Sequence, residues 1–275
     1  MTSALQVHHL TKKYPTFTLQ DLSFDLPQGT IIGLIGENGA GKSTLIRCLL
    51  QMSKPDHGEI EPPIKDYNQL SYIPDSCVFP EILTIEQLEQ DFASIYKHWE
   101  SAKFWDMVKR FKLPHKQKLK TFSKGMKVKL AFCVAFSHHA KLLILDEATS
   151  GLDPLIRDEI LDLLLEFIQK EDHTVLFSTH ITSDLEKVAD YILYIHEGKK
   201  MFMDTKDDLM EKYVIMHCTQ DEYQKLPSSK IIRVIKQPYQ IDVLVEKKEA
   251  EYTFDTPTLE DLMRMYSKDN YIEIN

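Results

Sequence analysis

The stretch Gly36-Glu37-Asn38-Gly39-Ala40-Gly41-Lys42-Ser43 decides how the rest of the chain is read. It fits G-x-x-x-x-G-K-[ST], a loop whose backbone N–H groups wrap phosphates, whose Lys reaches the outer phosphates of a triphosphate, and whose Ser holds Mg²⁺. Its surroundings agree. Thr30 to Ile35 is an apolar run of buried-strand type, and Thr44 to Leu50 reads as a helix. That order aims a helix N-terminus, with its unpaired N–H groups and positive dipole end, at the phosphates. A plain glycine turn between strand and helix does not explain the Lys-Ser pair, and the spacing lacks the G-x-G-x-x-G order of a dinucleotide fold. Gly36, Asn38, Gly39, Ala40, Gly41, Lys42, Ser43 and Thr44 are the candidate nucleotide ligands.

Working outward, 275 residues allow one large domain and a small one. The content, 43% hydrophobic and 27% charged, is that of a soluble globular protein. No apolar run approaches the roughly eighteen residues that span a bilayer, and the N-terminus lacks the layout of a signal peptide. Cys48, Cys77, Cys133 and Cys218 are scattered, which points to a reduced, cytoplasmic setting rather than a disulfide or zinc framework. A net charge of −9 argues against nucleic acid as the main partner. The acid is unevenly spread: none falls between Asp106 and Asp146, where Lys109, Arg110, Lys112, Lys116, Lys118, Lys120, Lys124, Lys127 and Lys129 lie. A solvated face and an anion-facing surface are both open for that run.

Residues 4–11 and 17–26 alternate like an antiparallel strand pair, with Tyr14 at the turn between them. Lys54 to Gly58 breaks the structure, and Gln69 to Ile73 is a short strand. Three helical segments follow, one capped by Thr84 and running to about His98, one from Glu100 to about Lys112, one starting near Ser123. Strand character returns at Leu142–Leu145, Thr174–Ser178 and Tyr191–Ile195, with an amphipathic helix from Pro154 to Lys170. The fold class is α/β: a parallel core with an antiparallel β part and a helical insertion over about residues 82–137. From about residue 205 to 275 the pattern changes to a short helix, Lys206 to Lys212, then three strand-like runs and a last helix. This is a small α+β extension without recognisable chemistry.

The strand Leu142–Leu145 ends in Asp146 and Glu147. At the sheet edge beside the phosphate loop, Asp146 would hold Mg²⁺ and Glu147 would take a proton from water attacking the γ-phosphate. With Ser150-Gly151-Leu152-Asp153 just after it, this pair is no ordinary turn. Over roughly residues 3–204 the sequence resembles the nucleotide-binding subunits of ATP-binding cassette (ABC) transporters. The resemblance implies that Tyr14 stacks on adenine, that Gly36 to Ser43 is Walker A and Leu142 to Asp146 Walker B, with Glu147 as catalytic carboxylate. It further makes Ser150, Gly151, Leu152 and Asp153 the D-loop, His180 the switch histidine, and Ser123-Lys124-Gly125-Met126 the counterpart of the family signature. In such proteins two cassettes pack head to tail, each ATP lying between the Walker A of one and the signature of the other. The expected organisation is an ABC ATPase domain over 1–204 and an extension over 205–275.

The chain departs from the family in places. Asp75 stands at the Q-loop glutamine position; a carboxylate there can touch Mg²⁺ or its waters but cannot donate to a phosphate. Lys124 and Met126 replace glycine and glutamine, and Lys124 either lends charge to the partner's triphosphate or faces solvent. Both departures resemble a bacterial exporter-type subgroup. The segment between Gly58 and Tyr72 is shorter than usual, trimming the antiparallel arm. The resemblance implies ATP and Mg²⁺ as cofactors, a second ABC subunit, the same or different, and a separately encoded membrane permease, with the chain at the cytoplasmic face of the membrane. The groove near Phe79, Pro80 and Ile82 would receive a permease helix. The rival is a soluble ABC ATPase with a regulatory or nucleic-acid role, for which the basic run is the one sequence feature.

Overall fold

The computed structural model describes residues 2–61, 69–76 and 79–267. β1 (Ser3–Tyr14) and β2 (Phe17–Pro27) pair antiparallel, Tyr14 facing Phe17 across the turn. β3 (Ile31–Ile35) then delivers the chain into the phosphate loop and α1 (Lys42–Leu49) leaves it. β4 (His57–Glu61) returns to the free edge of β1, so the stretch expected to be only a break ends in a strand. Gly58 permits this: at φ 82 it lies so close to β1 that a Cβ would stand 2.4 Å from the carbonyl oxygens of His8 and His9. The expected trimming of the next segment falls largely on residues 62–68, outside the described residues.

Between β5 (Leu70–Ile73) and the Walker B strand come α2 (Ile85–Ile95), α3 (Ser101–Arg110) and α4 (Lys124–Ser137). Thr84 caps α2 in a reciprocal box with Gln87, and the Ser123 hydroxyl caps α4 by accepting from the Met126 N–H. α3 is shorter than its pattern because Lys112 takes a left-handed φ of 53 just beyond it. The chain continues through β6 (Leu142–Asp146), α5 (Pro154–Phe167), β7 (Thr174–Ser178), α6 (Thr182–Val188), β8 (Tyr191–His196) and β9 (Lys199–Thr205). The six-stranded sheet runs β5-β6-β7-β3-β8-β9, parallel except for β9.

Alternation along the parallel strands assigns each side of this sheet. Ile32, Leu34, Ile144, Leu176, Leu193 and Ile195 share a core with α1 and the β1–β2 pair. Ile31, Ile35, Leu143, Leu145, Phe177 and Tyr194 share the other with α4, α5 and α6. Gly33 belongs to the second face: a Cβ there would come within 2.8 Å of Leu185 in α6, so the missing side chain sets how closely that helix packs. Because the strands are parallel, the segments after β3, β6 and β7 all emerge at one edge.

The extension comprises α7 (Lys206–Lys212), β10 (Tyr213–Cys218), α8 (Gln220–Lys225), β11 (Arg233–Lys236), β12 (Ile241–Glu246), β13 (Phe254–Asp255) and α9 (Leu259–Ser267). Its antiparallel sheet has the order β11-β12-β10-β13. Val214, Met216, Val243 and Val245 on one face close over Leu226. Ile215 and Leu244 on the other, with Leu259, Leu262 and Met265 of α9, join the apolar cluster containing Phe177 and Tyr194. The Leu259 N–H donates to Glu186 Oε1 in α6 at 3.1 Å, and the Tyr194 hydroxyl to the Met263 carbonyl at 3.4 Å. The extension is thereby packed on β8 and α6, the helix that follows His180.

Candidate functional site

The phosphate loop is shaped by close approaches that only glycine allows. Gly41, at φ 111, precedes α1, and a Cβ there would stand 2.6 Å from Leu19 and 2.7 Å from Phe17. No side chain caps α1 and no acid lies in its first turn, so its first N–H groups have no partner within the helix. Lys42 is buried and folds back over the loop, donating to the carbonyls of Gly36 at 2.7 Å and Glu37 at 3.2 Å. Its ammonium also stands 3.6 Å from Glu147 Oε1. Asn38, Gly39 and Ser43 are exposed and Thr44 is half-buried.

Glu147 follows β6 in a left-handed conformation, φ 53. A non-glycine residue held there costs on the order of 1 kcal/mol. Its N–H donates to the Ser178 carbonyl at 2.9 Å and its own carbonyl accepts from the Ser150 N–H at 3.1 Å, which together fix the turn. His180 Nδ1 donates to Glu147 Oε2 at 2.5 Å. Lys42, Glu147 and His180, brought from three strand ends, thus form one contact chain.

Asp146 closes β6 at 8% exposure, and its Oδ1 has no hydrogen-bond partner among the described residues. Burial pushes its carboxyl above the usual range; the hydroxyls of Ser43 and Ser178 draw it back, and the charges of Glu147 and Asp75 push it up again. Asp75 is exposed just beyond β5, the neighbour of β6. An unpaired buried carboxylate oxygen beside a serine hydroxyl and two further acids fits a hard divalent cation. Among the described residues no group of three or more His, Cys, Asp or Glu is arranged to hold a metal. A cation would therefore rest on Asp146 and Ser43 and draw its remaining oxygens from phosphate and water.

Other expected residues lie apart from this cluster. Tyr14 ends β1 and is 41% exposed, its hydroxyl 3.4 Å from Ser53 Oγ and the Lys12 ammonium 5.7 Å from the ring centre. No hydrogen bond or ion pair joins Ser123, Lys124, Gly125 or Met126 to the phosphate loop among the described residues. Gly125 is buried, a Cβ there meeting Ile156 of α5 at 2.8 Å. Lys124 is exposed, and its ammonium donates to the Ser150 carbonyl of its own chain at 2.6 Å. Gly151 takes a φ of 68, Leu152 is buried, and Asp153 caps α5 by accepting from the Ile156 N–H at 3.1 Å.

Sequence reading missed the anchor of this turn. Asp184, buried in α6, accepts from the Thr149 hydroxyl at 3.0 Å and lies 3.9 Å from Arg157 Nε, while Arg157 also donates to the Leu152 carbonyl. Burial raises its pKa. The available signal was an acid in the first turn after His180. Between the end of β5 and the helices α2 and α4 lies a groove of about 850 Å³, lined by Tyr72, Asp75, Phe79, Pro80, Phe92 and Lys124 among others. Met52 and Ile95, at 63% and 69% exposure, also line it, and Ile82, 73% exposed, stands in the chain between Pro80 and Leu83 of its wall. No helix among the described residues is long and apolar enough to cross a membrane.

Comparison with known proteins agrees with this geometry. The family model described as ABC transporter matches residues 19–150. The chain is 33% identical to the ABC-type transporter ATP-binding protein EcsA of Bacillus subtilis over 234 residues, 80% of this chain and 94% of that one. It is also 33% identical to the bacitracin transport ATP-binding protein BcrA of Bacillus licheniformis, over 72% of this chain and 69% of that one. A solved structure of an ATP-binding subunit of an ABC transporter superposes with a TM-score of 0.68 at 31% identity, covering 76% of this chain and 92% of that chain. With relatives of this identity aligned over most of their length and the same α/β architecture, the chain belongs to the ABC transporter family as one of its ATP-binding proteins.

Proposed function

We propose that the chain hydrolyses ATP as one of two cassettes that close head to tail around it, and that this closure drives a separately encoded membrane permease, in the export direction its Ser-Lys-Gly-Met signature and Asp75 resemble. The observation that carries the reading is the contact chain Lys42–Glu147–His180 at one sheet edge, with the signature cap Ser123 making no contact to it. That is half of a site. An arriving triphosphate takes the first-turn N–H groups of α1 and draws Lys42 away from the Gly36 and Glu37 carbonyls. Glu147, released from Lys42 and still held by His180, then accepts the proton of the attacking water. Asp146 and Ser43 would hold Mg²⁺, which neutralises charge developing on the phosphates. Ser123 and the N-terminus of α4 complete the site of the opposite cassette. Asp184 ties the D-loop turn to α6, so a shift of His180 is passed to the dimer face.

The permease is received in the groove beside Ile82, where apolar walls with an acid and a lysine at the rim suit an amphipathic helix. A tagged chain isolated in detergent from its own cells should bring down an integral membrane protein, and Ile82→Glu should lose it. Reproducible absence of any membrane protein from the intact chain would sink the transport reading.

A further inference from the structure

The acid-free run divides in the structure into paired and unpaired cations. Arg110 pairs with Glu166, Lys127 with Glu81 and Lys129 with Glu159. Lys112, Lys116, Lys118 and Lys120, on the connection between α3 and α4, are exposed and make no ion pair among the described residues. On the segment this connection lies against, Glu86 pairs with His115 and Glu81 with Lys127, Lys120 reaching Glu81 only as a minor field. This connection is anchored. The Leu119 N–H donates to the Leu83 carbonyl at 2.9 Å, the Lys120 N–H to the Glu81 carbonyl at 3.0 Å, and a β-bridge pairs Thr84 with Lys118. Leu113 and Leu119 are buried beneath it. The backbone therefore holds the lysines alongside residues 81–84, the segment that carries the exposed Ile82.

We propose that this lysine strip rests on the anionic headgroups of the membrane's cytoplasmic leaflet, an inference that relies on the groove facing a permease as proposed above. Charge decides between the possible partners. Cytoplasmic loops of membrane proteins carry an excess of Lys and Arg, which would repel the strip, whereas the leaflet itself is negative. Lysines, as separate point charges on flexible stems, suit a fluid array of headgroups better than a fixed carboxylate, for which the arginine fork is the better match. The chain's net charge of −9 does not cancel the strip, because charges more than about 8 Å away are largely screened at physiological salt.

The test uses the purified full chain and vesicles of phosphatidylcholine, alone or mixed with phosphatidylglycerol. The chain should sediment with the mixed vesicles only, and less so as salt rises. Combining Lys112→Gln, Lys116→Gln, Lys118→Gln and Lys120→Gln should weaken binding by about a hundredfold or more, since each lysine near such a surface is worth roughly fivefold. Combining Lys13→Gln, Lys170→Gln, Lys225→Gln and Lys247→Gln removes the same charge elsewhere and should leave binding intact. Both variants should hydrolyse ATP like the parent, which shows that they fold. Equal binding to both vesicle types, no binding at all, or equal loss in the two variants overturns the proposal. So does loss of permease capture in the strip variant with vesicle binding unchanged, which would assign the strip to a protein partner. If vesicle binding fails while the intact chain still captures its permease, the lipid proposal falls and the transport reading stands.

Discussion

Replacing Asp146 with Asn should stabilise the nucleotide-free chain and make it blind to Mg²⁺. The carboxylate is buried, its Oδ1 has no partner among the described residues, and burial together with Glu147 and Asp75 raises its pKa. A buried charged acceptor left unsatisfied costs about 1–3 kcal/mol. The Ser43 and Ser178 hydroxyls offset part of that, so about 1–2 kcal/mol should be recovered by the amide. For a chain of this size each kcal/mol moves Tm by about 2–4 °C, giving a rise of about 2–8 °C near neutral pH. The pH dependence has a definite sign. A carboxyl whose folded pKa is raised contributes its stability below the unfolded value of about 4 and loses it as pH rises through the raised folded value. The gap between Asn and Asp should therefore widen toward neutral pH and close toward about pH 4. Saturating ATP with Mg²⁺ should reverse the order, since ligand at about a hundred times its Kd adds about 2.7 kcal/mol to a chain that binds it. Thermal unfolding without nucleotide, with ATP and chelator, and with ATP and Mg²⁺ reads all of this. A nucleotide-free Asn variant no more stable than the parent, yet equally responsive to Mg²⁺, would refute the reasoning.

Two further outcomes follow from other charges. Asp75→Gln removes a carboxylate whose field reaches Asp146, so steady-state turnover should hold or rise; a fall beyond about tenfold, 1.4 kcal/mol of barrier, would give Asp75 a role of its own. In the extension, burial depresses the His217 pKa but hydrogen bonds to Asp242 and Asp255 outweigh it and hold the imidazole above its usual value. The stability this contributes, about 1 kcal/mol or more for hydrogen bonds to charged partners, should be complete in mild acid and fade as pH rises through the raised value. Thermal unfolding of His217→Gln should accordingly differ from the parent most at the acid end.

The legible parts of the molecule were those written in consecutive residues. The phosphate loop, the acids ending β6, the helix start near Ser123 and the short helix Lys206–Lys212 are local patterns, and the structure has them in place. α6 was not legible because its seven residues offer only Leu185 and Val188 as an apolar stripe. β9 was hidden because an edge strand covered on one side leaves every residue half-buried or exposed. At β4 the glycine that looked like a breaker is there for strand contact. Contacts across long separations were beyond reach: Lys124 to Ser150, Thr149 to Asp184, and the fold-back of α9 onto Glu186. Each depends on how the parallel sheet gathers distant segments, which no single stretch records.

The central claim is that Glu147, positioned by His180 and freed from Lys42, takes the proton from water. Steady-state turnover of Glu147→Gln, measured together with the nucleotide it retains, addresses that claim directly. Turnover should fall by about a hundredfold or more, as for loss of a general base, with ATP still bound. Turnover within a few-fold of the parent would contradict it.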